Sequence, residues 1–258
     1  MRTMVIKIGG RAFENRDGFY TLGRALKSLT EVRPVIVHGG GAEISAALKK
    51  ANRQPTFIDG LRVTTAEDIE IVERVLSETI NRRIATFLSE AGLHCQRLSG
   101  KSNRLFLIEP LRRNGHDYGF VGRITAVQPQ PIVQALKHNL VPVISPISAD
   151  ENGQSYNVNA DSAAAALAIG IRCDELVYFT DVPGVQVNGE IKASMSIDEA
   201  QLLIHQGVIQ GGMIAKMESI FEALAGGVRR AHIAQWSGEE TIENILSEIP
   251  KTGTIIHL

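Results

Sequence analysis

Lys7 lies in "VIKIGG" (5–10), at the end of an apolar run and directly before two glycines. A strand is a rigid mount, and this one aims a charge at a turn without side chains. "HGGG" (38–41) ends a second apolar run and leads into a helix pattern. Other strand ends carry "SGKS" (99–102), "TDVPG" (180–184) and "QWSG" (235–238). Glycine lets backbone approach a ligand closely, and a helix N-terminus offers free N–H groups to an anion. A multiply charged phosphate ligand needs both. "YNVNADSAAAAL" (156–167) adds Asn157, Asn159 and Asp161 at the mouth of a helix. The asparagines alternate on an extended segment, so both side chains face one way. Asp161 falls in the first helical turn, where the dipole favours a carboxylate. "GVIQGGMIAKM" (207–217) contributes a second lysine, Lys216, in a helix that follows a glycine pair.

Each feature alone has a plainer reading. A triple glycine can be a tight turn without a ligand. Lys7 can be an edge-strand lysine with its ammonium in water, and Lys216 can sit on an exposed helix face. Asn159 can be a helix cap, although capping needs one such residue rather than three. Neither GxxxxGK[ST] nor a GxGxxG opening the first helix is present. That counts against a P-loop NTPase and a Rossmann dehydrogenase. His38 reads as a structural histidine bonded to nearby backbone. His94, His116 and His205 have no ligand spacing with one another. Trp236 reads as a packing residue.

The elements that must carry these residues alternate along the chain. Apolar runs at 4–8, 35–37, 93–98, 105–108, 120–126, 141–145, 176–180 and 231–234 predict strands. Helical spacing predicts helices over 19–29, 42–51, 66–91, 132–140, 160–170, 197–206 and 213–224. Short strands alternating with longer helices predict an α/β fold: a mostly parallel sheet covered on both faces. "DENGQS" and "VNGEI" predict two small hairpins with Asn-Gly turns. In open α/β sheets, ligands bind beyond the carboxyl ends of the strands. The glycine turns and both lysines belong to that edge.

The totals set the outer limits. With 258 residues, 44% hydrophobic and 21% charged, the chain fits one large α/β domain or two lobes. A break near 170–174 gives lobes of 1–172 and 173–258. A formal net charge of -1 argues against nucleic-acid and anionic-membrane partners. Cys95 and Cys173 lie far apart without CxxC spacing, so neither a metal cluster nor a disulfide framework is expected, and a reducing cytoplasm fits. No signal-peptide pattern opens the chain. The longest nearly apolar run, 163–171, is too short to span a bilayer.

Six stretches, in this order, resemble the amino acid kinase family: "VIKIGG", "VIVHGGG" (35–41), "GLRVT" (60–64), "NVNAD" (157–161), "TDVPGV" (180–185) and "GVIQGGMIAK" (207–216). They span nearly the whole chain. The resemblance is strongest to members that phosphorylate the γ-carboxylate of N-acetyl-L-glutamate, the second step of arginine synthesis. It implies a carbamate-kinase-like three-layer αβα sandwich with two lobes. The N-terminal lobe would hold the acyl amino acid and the C-terminal lobe ATP, with Mg2+ carried on the ATP phosphates. It further implies that Lys7 and Lys216 stabilise the transferring phosphoryl group and that Asp161 orients both. Gly40, Gly41, Arg62, Asn157 and Asn159 would bind the acyl amino acid. Gly9 and Gly10 would contact phosphate. Asp181, Gly184, Val208, Ile209 and Gln210 would lie on the nucleotide side.

The implied chemistry needs no general base, because a carboxylate nucleophile is already ionised at neutral pH. Its difficulty is electrostatic, since an anion must approach a polyanion. Members acting on N-succinylglutamate or on carrier-linked aminoadipate or glutamate share the frame, and so would a non-catalytic nucleotide-binding sensor, against which the intact set of Lys7, Asp161 and Lys216 argues. "RRNGHDYGFVGRI" (112–124) is richer in arginine than the resemblance implies, and could line the acyl pocket or meet an acidic partner. The family's arginine-inhibited hexamers carry an additional N-terminal helix, whereas here the first strand begins near Met1. A homodimer without arginine inhibition is therefore expected, paired through the long helix of 66–91.

Overall fold

Alternate residues of the first strand serve opposite faces of one sheet, and both faces are covered by helices. The structure is a computed structural model that describes residues 2–9, 13, 15–247 and 252–258. Its main sheet has eight strands in the order β14-β16-β15-β11-β1-β2-β8-β5. Six run parallel: β1 (Arg2–Ile8), β2 (Val32–His38), β5 (Cys95–Ser99), β8 (Val141–Ser145), β11 (Glu175–Phe179) and β15 (Arg230–Ala234). At one edge β16 (Thr254–His257) runs antiparallel to β15, and β14 (Ser194–Ser196) follows β16. A strand buried on both faces reads as a continuous apolar run. This is why β1, β2 and β8 were legible without alternation.

Met4, Ile6, Ile8, Ile36 and Phe179 face one helical layer. It comprises α1 (Arg16–Ser28), α2 (Gly41–Lys50), α3 (Ala66–Glu73), α4 (Asn81–Glu90) and α9 (Glu240–Leu246). Val5, Val35, Val37 and Tyr178 face the other layer. That layer holds α5 (Gln130–Lys137), α6 (Ala160–Gly170), α7 (Ile197–His205) and α8 (Gly212–Ala225). Strand alternation puts Lys7 on the α6/α8 side with Val5. The result is a three-layer αβα sandwich around a mostly parallel sheet. None of the helices of the described residues is long and apolar enough to cross a membrane.

A second sheet, β6-β7-β10-β9, leans on this core. It contains β6 (Phe106–Arg113), β7 (His116–Val127), β9 (Ile147–Ala149) and β10 (Ser155–Val158). Two hairpins complete the strands: β3 (Thr56–Ile58) with β4 (Leu61–Val63), and β12 (Gln186–Val187) with β13 (Glu190–Ile191). The Asn-Gly hairpins expected from sequence form at β9–β10 and β12–β13. The β3–β4 hairpin, β14, α9 and β16 were not expected.

The long helix expected over 66–91 is interrupted. Residues Arg74–Ile80 form a π-helical segment between α3 and α4. Widened turns of this kind recur at functional sites. Here the segment presses Leu76 and Ile80 onto Gly40. A Cβ there would collide with Ile80 Cδ1 and Leu76 Cδ2, so the glycine is a steric requirement of this packing.

His38 ends β2 and ties the glycine turn to the layer beneath it. Its ring is buried, with Nδ1 2.9 Å from the Gly39 carbonyl and Nε2 3.2 Å from the Asn81 amide nitrogen. A carbonyl accepts only, so Nδ1 carries the proton and Nε2 accepts from Asn81. Asn81 also donates to the Val143 carbonyl and accepts from Arg97 Nε. His38 is a structural residue, as its sequence context suggested. Burial is the main cause that lowers its pKa from 6.5 to about 4. Above pH 6.5 neither folded nor unfolded chain holds the proton, and between 6.5 and about 4 only the unfolded chain does. Folding stability should therefore fall as the pH is lowered through that window, by about 3 kcal/mol from this residue. Urea unfolding at pH 7 and pH 4 should show a smaller loss in His38→Gln than in the wild type. Equal losses would assign the acid sensitivity to other groups.

Candidate active site

Three side chains from three elements meet beyond the strand ends. Lys7 comes from β1, Asp161 from the first turn of α6 and Lys216 from the second turn of α8. Lys7 Nζ lies 2.6 Å from Asp161 Oδ1, and Lys216 Nζ donates to Asp161 Oδ2 at 2.8 Å. Lys7 and Asp161 are 8% and 7% exposed, so neither is a solvated surface charge. Burial pushes the Asp161 carboxyl up, but the two ammonium groups outweigh it and hold the pKa below the ordinary value. Burial pulls the Lys7 ammonium down, Asp161 opposes that, and Lys216 adds to it, leaving a lowered pKa. One carboxylate thus holds two like charges side by side.

Local sequence explains the placement. Helix α6 is capped by Asn159, whose Oδ1 accepts from the backbone N–H of Asp161 at 2.9 Å and of Ser162 at 3.0 Å. Capping therefore leaves the Asp161 carboxylate free to meet the lysines. The Asn159 carbonyl oxygen faces its own helix, whereas Asn157 Nδ2 donates to Thr64 Oγ1 at 3.3 Å. At position 9 a Cβ would come within 2.8 Å of Lys7 Nζ and 3.3 Å of the Phe179 carbonyl. A side chain at position 9 would displace the ammonium from this place. Gly10 lies outside the described residues.

Arg62 stands on β4, a strand made by an Asp59-Gly60 turn with positive φ at both residues. Its Nη2 donates to the Gly41 carbonyl at 2.8 Å and to Ser45 Oγ at 2.7 Å. The guanidinium lies over the Phe57 ring, 4.8 Å from its centroid. The second amino group, Nη1, is buried and has no hydrogen-bond partner. A buried guanidinium nitrogen without an acceptor is costly, and an anionic ligand would satisfy it.

Two cavities meet at the triple-glycine turn. One, of about 190 Å³, is lined by Gly40, Gly41, Phe57, Arg62 and Asn157. The other, of about 440 Å³, is lined by Lys7, Gly9, the same glycines and Asp181. Backbone at 39–41 borders both. A larger cavity of about 610 Å³ beside Gln96, Gln128 and Gln134 has no ionisable lining and suggests no chemistry.

The residues expected on the nucleotide side are more mixed. Asp181 follows β11 and borders the Lys7 cavity. Gly184 is a packing residue, because a Cβ there would reach Thr254 Oγ1 at 2.8 Å and the Gly253 carbonyl carbon at 3.2 Å. Ile209 is buried in the core, while Val208 and Gln210 are exposed just before α8. The arginines of 112–123 sit on the β6–β7 hairpin. Arg112, Arg113 and Arg123 line a groove of about 330 Å³ toward α8, and Arg113 approaches Glu218 at 3.6 Å. This groove borders the Arg62 cavity through Leu61, Val121, Val158 and Asn159. Sequence reasoning missed Phe57, Ser45 and Thr64. An Asp-Gly pair between "TFI" and "LRV" was the available signal for the hairpin that brings Phe57 to Arg62.

Comparison with known proteins places this geometry. The model of the amino acid kinase family matches residues 2–235. The acetylglutamate kinase of Pseudothermotoga lettingae is 37% identical over 234 residues, covering 90% of this chain and 83% of that protein. The acetylglutamate kinase of Caulobacter vibrioides is 40% identical over 246 residues, covering 88% and 81%. Among solved structures, smu.665 from Streptococcus mutans aligns with a TM-score of 0.80 at 29% identity over 99% and 98% of the two chains. The carbamate kinase of Giardia lamblia bound to AMP-PNP aligns with a TM-score of 0.69 at 14% identity over 99% and 98%, a likeness of fold alone. With its sheet order, its paired lysines and a family match over most of its length, the chain belongs to the amino acid kinase family.

Proposed function

We propose that the chain transfers the γ-phosphoryl group of ATP to the γ-carboxylate of N-acetyl-L-glutamate. The observation that carries this reading is the junction of the two cavities. An unsatisfied guanidinium lies on one side of the triple glycine, and two carboxylate-bridged lysines lie on the other. Relatives that are 37% and 40% identical carry the name acetylglutamate kinase, which supports the choice of acid. In this reading the α-carboxylate of the substrate meets Arg62, whose planar fork offers the free Nη1. Asn157, Asn159, Gly40 and Gly41 complete the acid's pocket. The γ-carboxylate then points across the glycine turn toward Lys7.

In the reaction, a γ-carboxylate oxygen forms a bond to the γ-phosphorus while the bond to the bridging β–γ oxygen breaks. No proton moves, because the nucleophile is already ionised. Lys7 and Lys216 draw the transferring group from two sides, and Gly9 with Gly40 and Gly41 offers backbone N–H groups. Such catalysis is mainly positioning and charge neutralisation. Asp161 stays ionised and fixes both ammonium groups. Among the described residues no cluster of three or more His, Cys, Asp or Glu side chains could hold a metal ion, and the Asp161 carboxylate is engaged by two lysines. Mg2+ bound with ATP would be held through the nucleotide's phosphates and would offset part of their charge. ATP lies over the C-terminal lobe, residues 173–258, near Asp181, Gly184 and 208–210, and the acid over the N-terminal lobe, residues 1–172. The long helical segment of 66–90 supplies a dimer surface, and light scattering showing a monomer or hexamer would remove that assignment.

Trapping the acyl phosphate with hydroxylamine tests the reaction directly. Hydroxamate should form only when ATP, Mg2+ and N-acetylglutamate are all present, and its absence would sink the reading.

Arg62→Lys removes the planar fork but keeps the charge. The KM for acetylglutamate should rise by a factor matching about 1.5–3 kcal/mol, with the KM for ATP nearly unchanged. An unaltered KM for the acid would take Arg62 out of the pocket.

Asp161→Asn barely changes volume, and Asn159 still caps the helix. The charge that reconciles the two lysines is lost. Turnover should fall about 100-fold or more while both KM values move little, since the misplaced groups act mainly in the transition state. Steady-state kinetics, with a melting curve to confirm folding, measures both. Near wild-type kcat would leave Asp161 without a role in the reaction.

A further inference from the structure

Beneath the lysine–aspartate–lysine trio lies a pair of buried hydroxyls with no part in the chemistry described above. Tyr178, on β11, is 1% exposed, and Ser219, on α8, is 4% exposed. The Tyr178 hydroxyl donates to the backbone carbonyl of Asp161 at 2.8 Å. It lies 3.0 Å from Ser219 Oγ, and Ser219 Oγ in turn is 2.8 Å from the Lys216 carbonyl, to which it can donate. The chain of contacts runs from the backbone of one trio member to the backbone of another. Tyr178 is also the register partner of Lys7 across the β1–β11 pair. Paired residues of parallel strands project from the same face, so the tyrosine ring stands beside the Lys7 stem. All three members of the trio are thus touched or flanked by this pair.

The protons are limited. Two hydroxyls carry two protons for three short contacts, so in any one arrangement one contact has no proton, and rotation about the C–O bonds only changes which. If Ser219 donates to Tyr178 and Tyr178 to Asp161, helix α8 is bonded to helix α6 through the tyrosine. If Tyr178 donates to Ser219 and Ser219 to Lys216, helix α8 is bonded directly to β11. Either arrangement fixes α8, which carries Lys216, against the strand that neighbours Lys7. Burial, with Asp161 adding to it, raises the Tyr178 pKa well above the ordinary value, so the hydroxyl keeps its proton.

We infer that Tyr178 and Ser219 are positioning residues that set the distance of Lys216 from Asp161 and Lys7, and so serve phosphoryl transfer without touching substrate. The inference rests on the kinase reading above. A packing role alone asks for an apolar ring at position 178 and a small residue at 219. It does not ask for two hydroxyls aimed at the carbonyls of Asp161 and Lys216. Leu, Val or Ala at these places would fill the layer that Ala164, Leu167 and Ile220 already form.

Tyr178→Phe keeps the ring and removes the bond, and Ser219→Ala does the same on α8. In the hydroxamate assay each should lower kcat, by about tenfold for Tyr178→Phe, with both KM values within about twofold of wild type. The double variant should lose little more than the worse single variant, because the two act as one chain. Wild-type kcat in Tyr178→Phe, or fully additive losses, would overturn the inference. A second measurement does not depend on the reaction. Acetic anhydride labelling, mapped by mass spectrometry, should modify Lys216 faster in both variants, by about threefold in Tyr178→Phe. If wild-type protein makes no hydroxamate, the kinase reading fails by itself. The labelling then decides the positioning role, and unchanged Lys216 labelling overturns it. Ser219→Ala gives the same decision should Tyr178→Phe fold poorly.

Discussion

Two ammonium groups share one buried carboxylate, and most of the architecture serves that arrangement. Lys216 stands close enough to Lys7 to lower its pKa, so the two ammonium groups repel one another. Each attraction to Asp161, at 2.6 and 2.8 Å, is larger than that repulsion. The trio therefore holds together with a residual positive charge. Removing one member leaves the others without their full compensation, and breaking a buried ion pair typically costs about 3–5 kcal/mol. That dependence explains why each member is mounted on a separate regular element. A loop could not hold a lysine against its like-charged neighbour.

The sheet supplies the geometry by two simple rules. Alternation along β1 sends Met4, Ile6 and Ile8 to one helical layer and Val5 and Lys7 to the other. Parallel register puts the ends of β1, β2 and β11 on one edge, so their turns share one space. The chemistry of the turns then follows from absence of side chains. Gly9 leaves room for Lys7 Nζ, and Gly40 leaves room for Ile80 and Leu76 of the π-helical segment. The same short stretch at 39–41 borders the cavity of Arg62 and that of Lys7. A ligand in one cavity is separated from a ligand in the other by backbone alone.

Much of this was legible in the sequence, for identifiable reasons. The parallel strands are apolar on both faces and read as short continuous runs. Helices α1, α6, α7 and α8 have clear spacing or caps. Lys7, Asp161 and Lys216 were legible because charged residues beside glycine turns are conspicuous in an apolar context. The hairpin strand of Arg62 was not, since "TFI" and "LRV" are only three residues each and carry no period. Strands β6 and β7 extend past the apolar stretch into Glu109, Pro110 and Arg112, where polarity imitates a loop. The edge strands β14 and β16 are too short for a pattern. The π-helical segment has no signature in composition and is visible only through what it pushes against Gly40.

The division of labour between rigid and clamped groups has a mechanistic reason. Groups that stabilise a transition state must not reorganise when charge moves; the proposed reaction puts that demand on Lys7, Asp161 and Lys216, which are each held by core elements and by one another. Groups that recognise a ligand must admit it first. Arg62 is held on one side only, by Gly41, Ser45 and the Phe57 face, and its other amino group is left without an acceptor. The lysine–aspartate–lysine trio is thus electrostatically complete without a ligand, whereas the Arg62 cavity keeps a buried donor without an acceptor. In the proposed function an acid in the Arg62 cavity would satisfy that donor, and its length would set where its far carboxylate emerges beside the glycine turn.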